Sequence, residues 1–235
     1  MKIVILCGGL GSRLSEETKL KPKPMVKVGN MPILSHIIKI YEKFGYNEFY
    51  IALGYKGHVI KKYFSKLKTK SKFHLINTGA KTLTGGRLLR LKKYFKKDEN
   101  FMLTYGDGLS GQNISKLVKF HLKNKKIATM TIVRPPVRFG EVKIHKNIIK
   151  RFREKPQISS SWINGGFFVF NSKIFDLIKN DQTMLERKPL EKLSQKGQLC
   201  GFKHYGFWQC MDTLRDKKFL ENIYKKSKKK SPWLI

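Results

Sequence analysis

The sequence predicts an α/β fold, a mostly parallel sheet with helices on both faces. Three observations predict it. Short apolar runs alternate with helix-length segments from the first residues to about residue 133. The run over residues 2–7 is continuous rather than alternating, the pattern of a strand covered on both faces. It ends in a glycine-rich loop, where ligands of open parallel sheets bind.

Residues 2–7 read as the first strand. The start resembles a signal or lipoprotein segment, but its apolar stretch is shorter than the roughly 7–15 residues such a segment needs. Residues 8–24, rich in Gly, Ser and Pro, read as a long loop. Pro32 opens a helix to about residue 44, and Gly45 closes it. Residues 48–53 read as a strand, 57–67 as a helix, 73–77 as a strand and 86–95 as a basic helix. A strand over 101–105 ends at Gly106-Asp107-Gly108, followed by a helix over 113–124 and a strand over 128–133. This βαβαβα order is a Rossmann-like layout. After Pro135-Pro136 the texture changes. Residues 140–144 and 148–153 pattern as a hairpin, 165–170 as a strand, 189–196 as a helix before Gly197, and 214–226 as a last helix.

Composition excludes several classes. The chain has 235 residues, which suits one domain with an ample core. At 40% hydrophobic and 12% aromatic it is too apolar for a disordered basic tail. No apolar run approaches the roughly 20 residues that span a bilayer. Cys7, Cys200 and Cys210 are odd in number and lack CxxC spacing, which argues against a disulfide framework or zinc site and fits a reducing cytoplasm.

The net charge is +34, from 50 Lys+Arg against 16 Asp+Glu. A nucleic-acid-binding module is one reading of that charge. Yet 41 of the cations are Lys and 9 are Arg, and they are spread along the whole chain. Nucleic-acid readers favour the planar fork of Arg, so solvated Lys faces, including the tail at 225–230, are the simpler account.

Chemistry begins at Gly8-Gly9-Leu10-Gly11-Ser12-Arg13-Leu14. Glycines allow close backbone approach, successive N–H groups cradle phosphate oxygens, and Arg13 adds a forked cation. The spacing is neither the dinucleotide-binding fingerprint nor a P-loop. Asp107 closes a strand at the carboxyl edge of the sheet, flanked by glycines; it reads as a Mg²⁺ ligand or as an ordinary turn aspartate. Asp212 stands just before the last helix, where an N-cap is the plain reading.

The pattern GGxG[ST]R, then Lys23-Pro24 about ten residues on, resembles the sugar-nucleotide pyrophosphorylases, nucleotidyltransferases that join a nucleoside triphosphate to a sugar 1-phosphate. Thr82-Leu83-Thr84-Gly85-Gly86-Arg87, Tyr105-Gly106-Asp107-Gly108, Arg138-Phe139-Gly140, Glu154-Lys155-Pro156, Trp162-Ile163-Asn164-Gly165-Gly166 and Gln209-Cys210-Met211-Asp212 follow in the order of the branch acting on CTP and glucose 1-phosphate. The resemblance covers about the whole chain and implies the nucleotide-diphospho-sugar transferase fold.

It also implies roles. Arg13, Lys23 and Asp107 would be catalytic. Leu6, Cys7, Gly8, Gly9, Leu10, Gly11, Ser12, Thr82, Arg87 and Gly106 would join Arg13 and Lys23 around the nucleotide. Gly140, Glu154, Lys155, Asn164 and Gly165 would meet the sugar phosphate. Asp107 and Asp212 would hold Mg²⁺. The division implied is a mainly nucleotide-binding part over 1–134, a small β-rich sugar-phosphate part over 135–212, and a C-terminal helix and basic tail over 213–235. A homo-oligomer is implied too, but the stretch between residues 67 and 77 is shorter than in the family pattern and leaves assembly open. A Lys of the family pattern is replaced within Gly29-Asn30-Met31-Pro32, and Cys7 and Cys210 stand where Ala and Pro are usual. Another nucleotide or sugar phosphate, or a nucleotide sensor without activity, remain alternatives.

Overall fold

The computed structural model describes residues 1–134, 140–154, 161–227 and 230–234. Lys155, Arg138 and Phe139 lie outside the described residues.

β1 (Ile3–Cys7) is buried at every residue. Its odd positions face one apolar cluster, with Ile3 and Ile5, and its even positions the other, with Val4 and Leu6. That two-sided burial is why its sequence is a continuous apolar run. The predicted loop that follows is more ordered than expected. It holds a 3₁₀ turn at Ser12–Leu14, the short α1 (Ser15–Thr18) and a 3₁₀ turn at Lys23–Met25. β2 (Lys27–Val28) and β3 (Met31–Pro32) form a small ribbon that leads into α2 (Ile33–Glu42).

β4 (Glu48–Leu53), α3 (Gly57–Phe64) and β5 (Lys72–Asn77) continue the alternation. The expected basic helix is split into α4 (Thr84–Leu89) and a 3₁₀ turn at Lys92–Tyr94. The break comes where the Leu91 N–H turns back to the Leu88 carbonyl, and both leucines are fully buried in one cluster. β6 (Asn100–Tyr105), β7 (Gly108–Ser110), α5 (Ile114–Asn124) and β8 (Ala128–Val133) follow, with Asn113 capping α5. β9 (Glu141–His145) and β10 (Ile148–Arg153) form the expected hairpin, separate from the main sheet. β11 (Ile163–Asn171), α6 (Lys188–Gln195), β12 (Leu199–His204), β13 (Trp208–Cys210) and α7 (Leu214–Lys226) complete the chain.

The main sheet has the order β12-β8-β11-β6-β1-β4-β5. All neighbouring pairs are parallel except those of β11, which runs against both β6 and β8. The chain steps from β1 to β4 on one side and returns to β6 on the other. The loops after β1 and β6 therefore part at a topological switch point, where open α/β sheets bind ligands. α2, α3, α5 and α7 pack on one face of the sheet, and α4 and α6 on the other. Among the described residues no helix is long and apolar enough to cross a membrane.

The C-terminal segment docks into the core. Trp233 is buried and donates its indole N–H to His36 Nδ1 at 3.1 Å, while His36 Nε2 lies 2.9 Å from the Val28 carbonyl. These partners suit only the neutral ring, with its proton on Nε2. Burial, chiefly, pushes the His36 pKa down, and burial lowers His121 and His204 in the same way. The unfolded chain then binds more protons than the folded one below the ordinary histidine value. Stability is expected to be fully present above about pH 6.5 and to fall as pH drops below it. A melting series from pH 8 to 5.5 checks this, and Trp233→Ala should destabilise by about 3–5 kcal/mol at pH 8 and by less at pH 5.5, where opening the His36 site relieves its burial.

Candidate active site

A cavity of about 560 Å³ opens at the carboxyl ends of β1 and β6. Its floor is the loop after β1. Gly11 has φ 68°, in the left-handed region that glycine favours, and the 3₁₀ turn carrying Arg13 starts there. At Gly8 a Cβ would sit 2.0 Å from the Arg87 guanidinium, so a larger residue there would displace that side chain from its hydrogen bonds.

Lys23 is the centre of the cavity's electrostatics. Its ammonium lies 2.7 Å from Asp107 Oδ2 and 2.5 Å from Asp212 Oδ1, and Arg13 reaches Asp212 Oδ2 at 2.7 Å. Burial alone would lower the Lys23 pKa, but the two carboxylates outweigh it and raise it. Burial likewise works to raise Asp212, and the bond to Lys23, with Arg13 behind it, holds that carboxyl below its usual range. The thiols of Cys7 and Cys210 line the same cavity. Burial, with the aspartates adding to it, pushes both up, Cys210 to about 12. Neither is a thiolate at neutral pH.

A short ladder brings the two aspartates together. β7 pairs antiparallel with β13, with Gly108 opposite Cys210, and the Met211 N–H bonds the Asp107 carbonyl at 2.9 Å. Asp212 is not the helix cap. Thr213 caps α7, and Asp216 closes a capping box with it, which leaves the Asp212 carboxylate facing cations. Two converging carboxylates that already hold an ammonium between them fit a hard divalent cation, which would complete its shell with phosphate oxygens and water. Among the described residues no cluster of three or more His, Cys, Asp or Glu side chains offers another metal site.

Arg87, expected to meet the nucleotide, lines the cavity and gives its hydrogen bonds to the surrounding loops. It is buried, and its terminal nitrogens donate to the carbonyls of Gly8 at 2.8 Å and Gly79 at 2.7 Å and to Thr78 Oγ1 at 2.9 Å. The guanidinium thus braces the glycine loop from behind. Leu6, Gly9, Ser12, Thr82 and Gly106 line the cavity, whereas Leu10 is exposed at the loop tip.

Asn164 and Gly165 line the opposite wall. A register shift in β11 between Asn164 and Phe168 turns this stretch out of the regular ladder. The Gly165 carbonyl accepts from the Trp208 indole at 2.7 Å, and Asn164 Oδ1 accepts from the Gly166 N–H at 2.8 Å. Gly140 and Glu154 neighbour one another at the base of the hairpin, apart from the lining residues. Sequence reasoning passed over Tyr105, Thr84 and Glu186, which also line the cavity. Thr84 and Tyr105 stand inside motifs that carry the resemblance, whereas no motif marks Glu186.

The sequence matches the nucleotidyl transferase family over residues 2–207. The chain belongs to the nucleotidyl transferase family. Within it, the chain is 46% identical to a glucose-1-phosphate cytidylyltransferase of Salmonella typhimurium, covering 99% of this chain and 98% of that protein. That alignment spans 255 positions against the 235 residues here, so the relative carries segments without a counterpart. The chain is also 30% identical to the mannose-1-phosphate guanylyltransferase catalytic subunit beta of Xenopus tropicalis, over 95% of this chain and 64% of that one. Among solved structures, HddC from Yersinia pseudotuberculosis, complexed with GMP-PN, superposes with TM-score 0.76 at 23% identity, covering 94% and 98% of the two chains. A UDP-glucose pyrophosphorylase complexed with UDP-glucose gives 0.74 at 16% identity, covering 96% and 98%. These two likenesses establish the nucleotidyl transferase fold.

Proposed function

We propose that this nucleotidyl transferase joins CTP and α-D-glucose 1-phosphate to give CDP-glucose and pyrophosphate. The observation that carries the chemistry is the convergence of Lys23, Asp107, Asp212 and Arg13 beside the glycine loop in one cavity. The choice of CTP and glucose 1-phosphate rests on the similarity to the Salmonella protein.

A phosphate oxygen of the sugar phosphate attacks the α-phosphorus of the nucleotide. One P–O bond forms, the bond to the β-phosphate breaks, and pyrophosphate leaves. The nucleophile is already an anion at neutral pH, so no general base is needed. The chain's work is positioning and charge neutralisation. The loop N–H groups cradle the triphosphate, and Arg87 keeps that loop in shape through Gly8. Lys23 and Arg13 offset the charge that builds on the departing pyrophosphate. Asp107 and Asp212 would hold Mg²⁺, which when bound supplies Lewis-acid neutralisation of the phosphates. Asn164 and Gly165 would face the sugar, and Lys155 would draw in its phosphate.

A panel of four nucleoside triphosphates against several sugar phosphates, read by pyrophosphate release, tests this. CTP with glucose 1-phosphate should exceed every other pair, and a different best pair would reassign the substrates. The +34 charge adds a second expectation. Both substrates are anions, so raising ionic strength from about 0.05 to about 0.5 M should lower kcat/KM several-fold while kcat at saturation changes little. Equal effects on both would remove the steering role.

A further inference from the structure

Among the described residues three carboxylates line the cavity, and the chemistry above uses two of them, Asp107 and Asp212. The third, Glu186, is set in the wall by two hydroxyls. Its Oε1 accepts from the Tyr105 hydroxyl at 2.6 Å, and its Oε2 accepts from Thr84 Oγ1 at 2.6 Å. The surroundings leave little freedom. Thr84 Oγ1 itself accepts from the Leu185 N–H at 2.9 Å, and the segment bearing Glu186 is tied to α4 through the Leu83 N–H to Asp181 carbonyl bond at 2.8 Å. Leu185 is fully buried.

The direction of every proton follows. Each hydroxyl has one hydrogen, and both are given to the carboxylate. The Tyr105 hydroxyl, 2.6 Å from a carboxylate oxygen that can only accept, is the donor of that bond. Asn164 Nδ2 in turn donates to the Tyr105 oxygen at 3.5 Å, which links Glu186 to the wall assigned to the sugar. A carboxylate oxygen has two lone-pair sites, so each oxygen of Glu186 keeps one beyond its hydroxyl partner.

The charge of Glu186 narrows what those sites can take. Among the described residues no Lys or Arg forms an ion pair with it. In a cavity that gathers a triphosphate and a sugar phosphate, such a carboxylate repels the phosphates of both. Of the groups that a nucleotide and a sugar phosphate bring, it is favourable toward the uncharged hydrogen-bond donors. The hydroxyls of a sugar are donors of that kind, and the link through Tyr105 to Asn164 places Glu186 beside them.

We propose that Glu186, held by Tyr105 and Thr84, accepts hydrogen bonds from hydroxyls of the sugar phosphate and decides which sugar is used. The proposal rests on the functional reading above for there being a sugar phosphate in this cavity. A site built to receive a hydroxyl rejects an analogue lacking it, because the half-buried carboxylate, held in place by Tyr105 and Thr84, then loses that partner.

The test compares the wild type with Glu186→Gln, using the sugar phosphate found by the substrate panel and its singly deoxygenated analogues. The wild type should lose about 10–100-fold in kcat/KM when one or two particular hydroxyls are removed. Glu186→Gln should lose a similar factor with the parent sugar phosphate, keep the nucleotide KM within about twofold, and show a much smaller penalty for removing the same hydroxyls. Unchanged deoxy penalties overturn the proposal. So does a loss confined to the nucleotide KM, which would put the donor on the ribose or the base. Should Glu186→Gln melt early, Tyr105→Phe, which keeps the carboxylate but releases one of its two anchors, should relax the same selectivity. Unaltered selectivity in that variant also overturns it. A wild type that turns over no pair sinks the functional reading instead. Calorimetric binding of glucose 1-phosphate to wild type and Glu186→Gln still decides the role of Glu186, and equal affinity counts against it.

Discussion

Asp107→Asn is expected to lower kcat by about a thousandfold or more while the melting temperature holds or rises. Asp107 meets Lys23 at 2.7 Å, and Asp212 meets the same ammonium from another side at 2.5 Å. Asparagine keeps the size and one acceptor but removes the charge. Lys23 retains Asp212 and Arg13 still covers it, so the fold loses little. Catalysis loses more, because one of two carboxylates proposed to hold the divalent cation is gone. Pyrophosphate-release kinetics across a Mg²⁺ titration, with melting curves beside them, make the measurement. Turnover at the wild-type rate and the wild-type Mg²⁺ dependence would remove Asp107 from the metal site.

Lys23→Ala should combine a similar catalytic loss with a clear cost in stability. Lys23 is buried, and the deletion leaves Asp107 and Asp212 facing one another with Arg13, mostly exposed, as the remaining cation. Breaking a partly buried charge cluster of this kind should cost about 1–3 kcal/mol at neutral pH. The pH dependence carries the signature. In the wild type, burial works to raise the Asp212 carboxyl, and Lys23 outweighs it to hold the folded pKa below the unfolded one. That contribution is present above the ordinary carboxylate range and is lost as pH falls through the folded value. Without Lys23, burial and the facing Asp107 are opposed by Arg13 alone, so the depression of the Asp212 pKa shrinks and with it the stability gained above the carboxylate range. The melting gap between variant and wild type should therefore be widest at pH 7–8 and narrow toward pH 5. A gap independent of pH would mean that Lys23 acts on packing and not on these carboxylates.

Much of the fold was legible because its strands are buried on both sides. Ile3–Cys7 and residues 49–53 are continuous apolar runs, Ala128–Val133 carries two fully buried threonines among its apolar residues, and each lies in a strand of the main sheet. The last helix was legible in full, Leu214–Lys226, from its periodicity. β12 was missed, since it carries Gly201 in its middle and lies half-covered at the sheet edge. β7 and β13 were missed because three residues give no period to read. Arg87 shows another limit. Its residue type suggested a phosphate partner, but burial behind the loop gives its donors to backbone carbonyls. For Glu186 nothing in Leu185-Glu186-Arg187-Lys188 marks a cavity residue.

The sequence by itself determined the layered α/β architecture, the glycine loop after β1 and the ordered motifs that carry the family resemblance. All of these are local, written in runs of a few residues whose chemistry is plain. Tertiary structure alone decided how the site is assembled. Lys23, Asp107 and Asp212 come from three distant parts of the chain, and a backbone ladder between two three-residue strands brings the aspartates together. Backbone hydrogen bonds are made by every residue type alike, so that ladder leaves almost no mark on the residues that form it. Glu186 is a feature of the site only through side chains distant in sequence, Tyr105 and Thr84, which the fold brings to either side of its carboxylate.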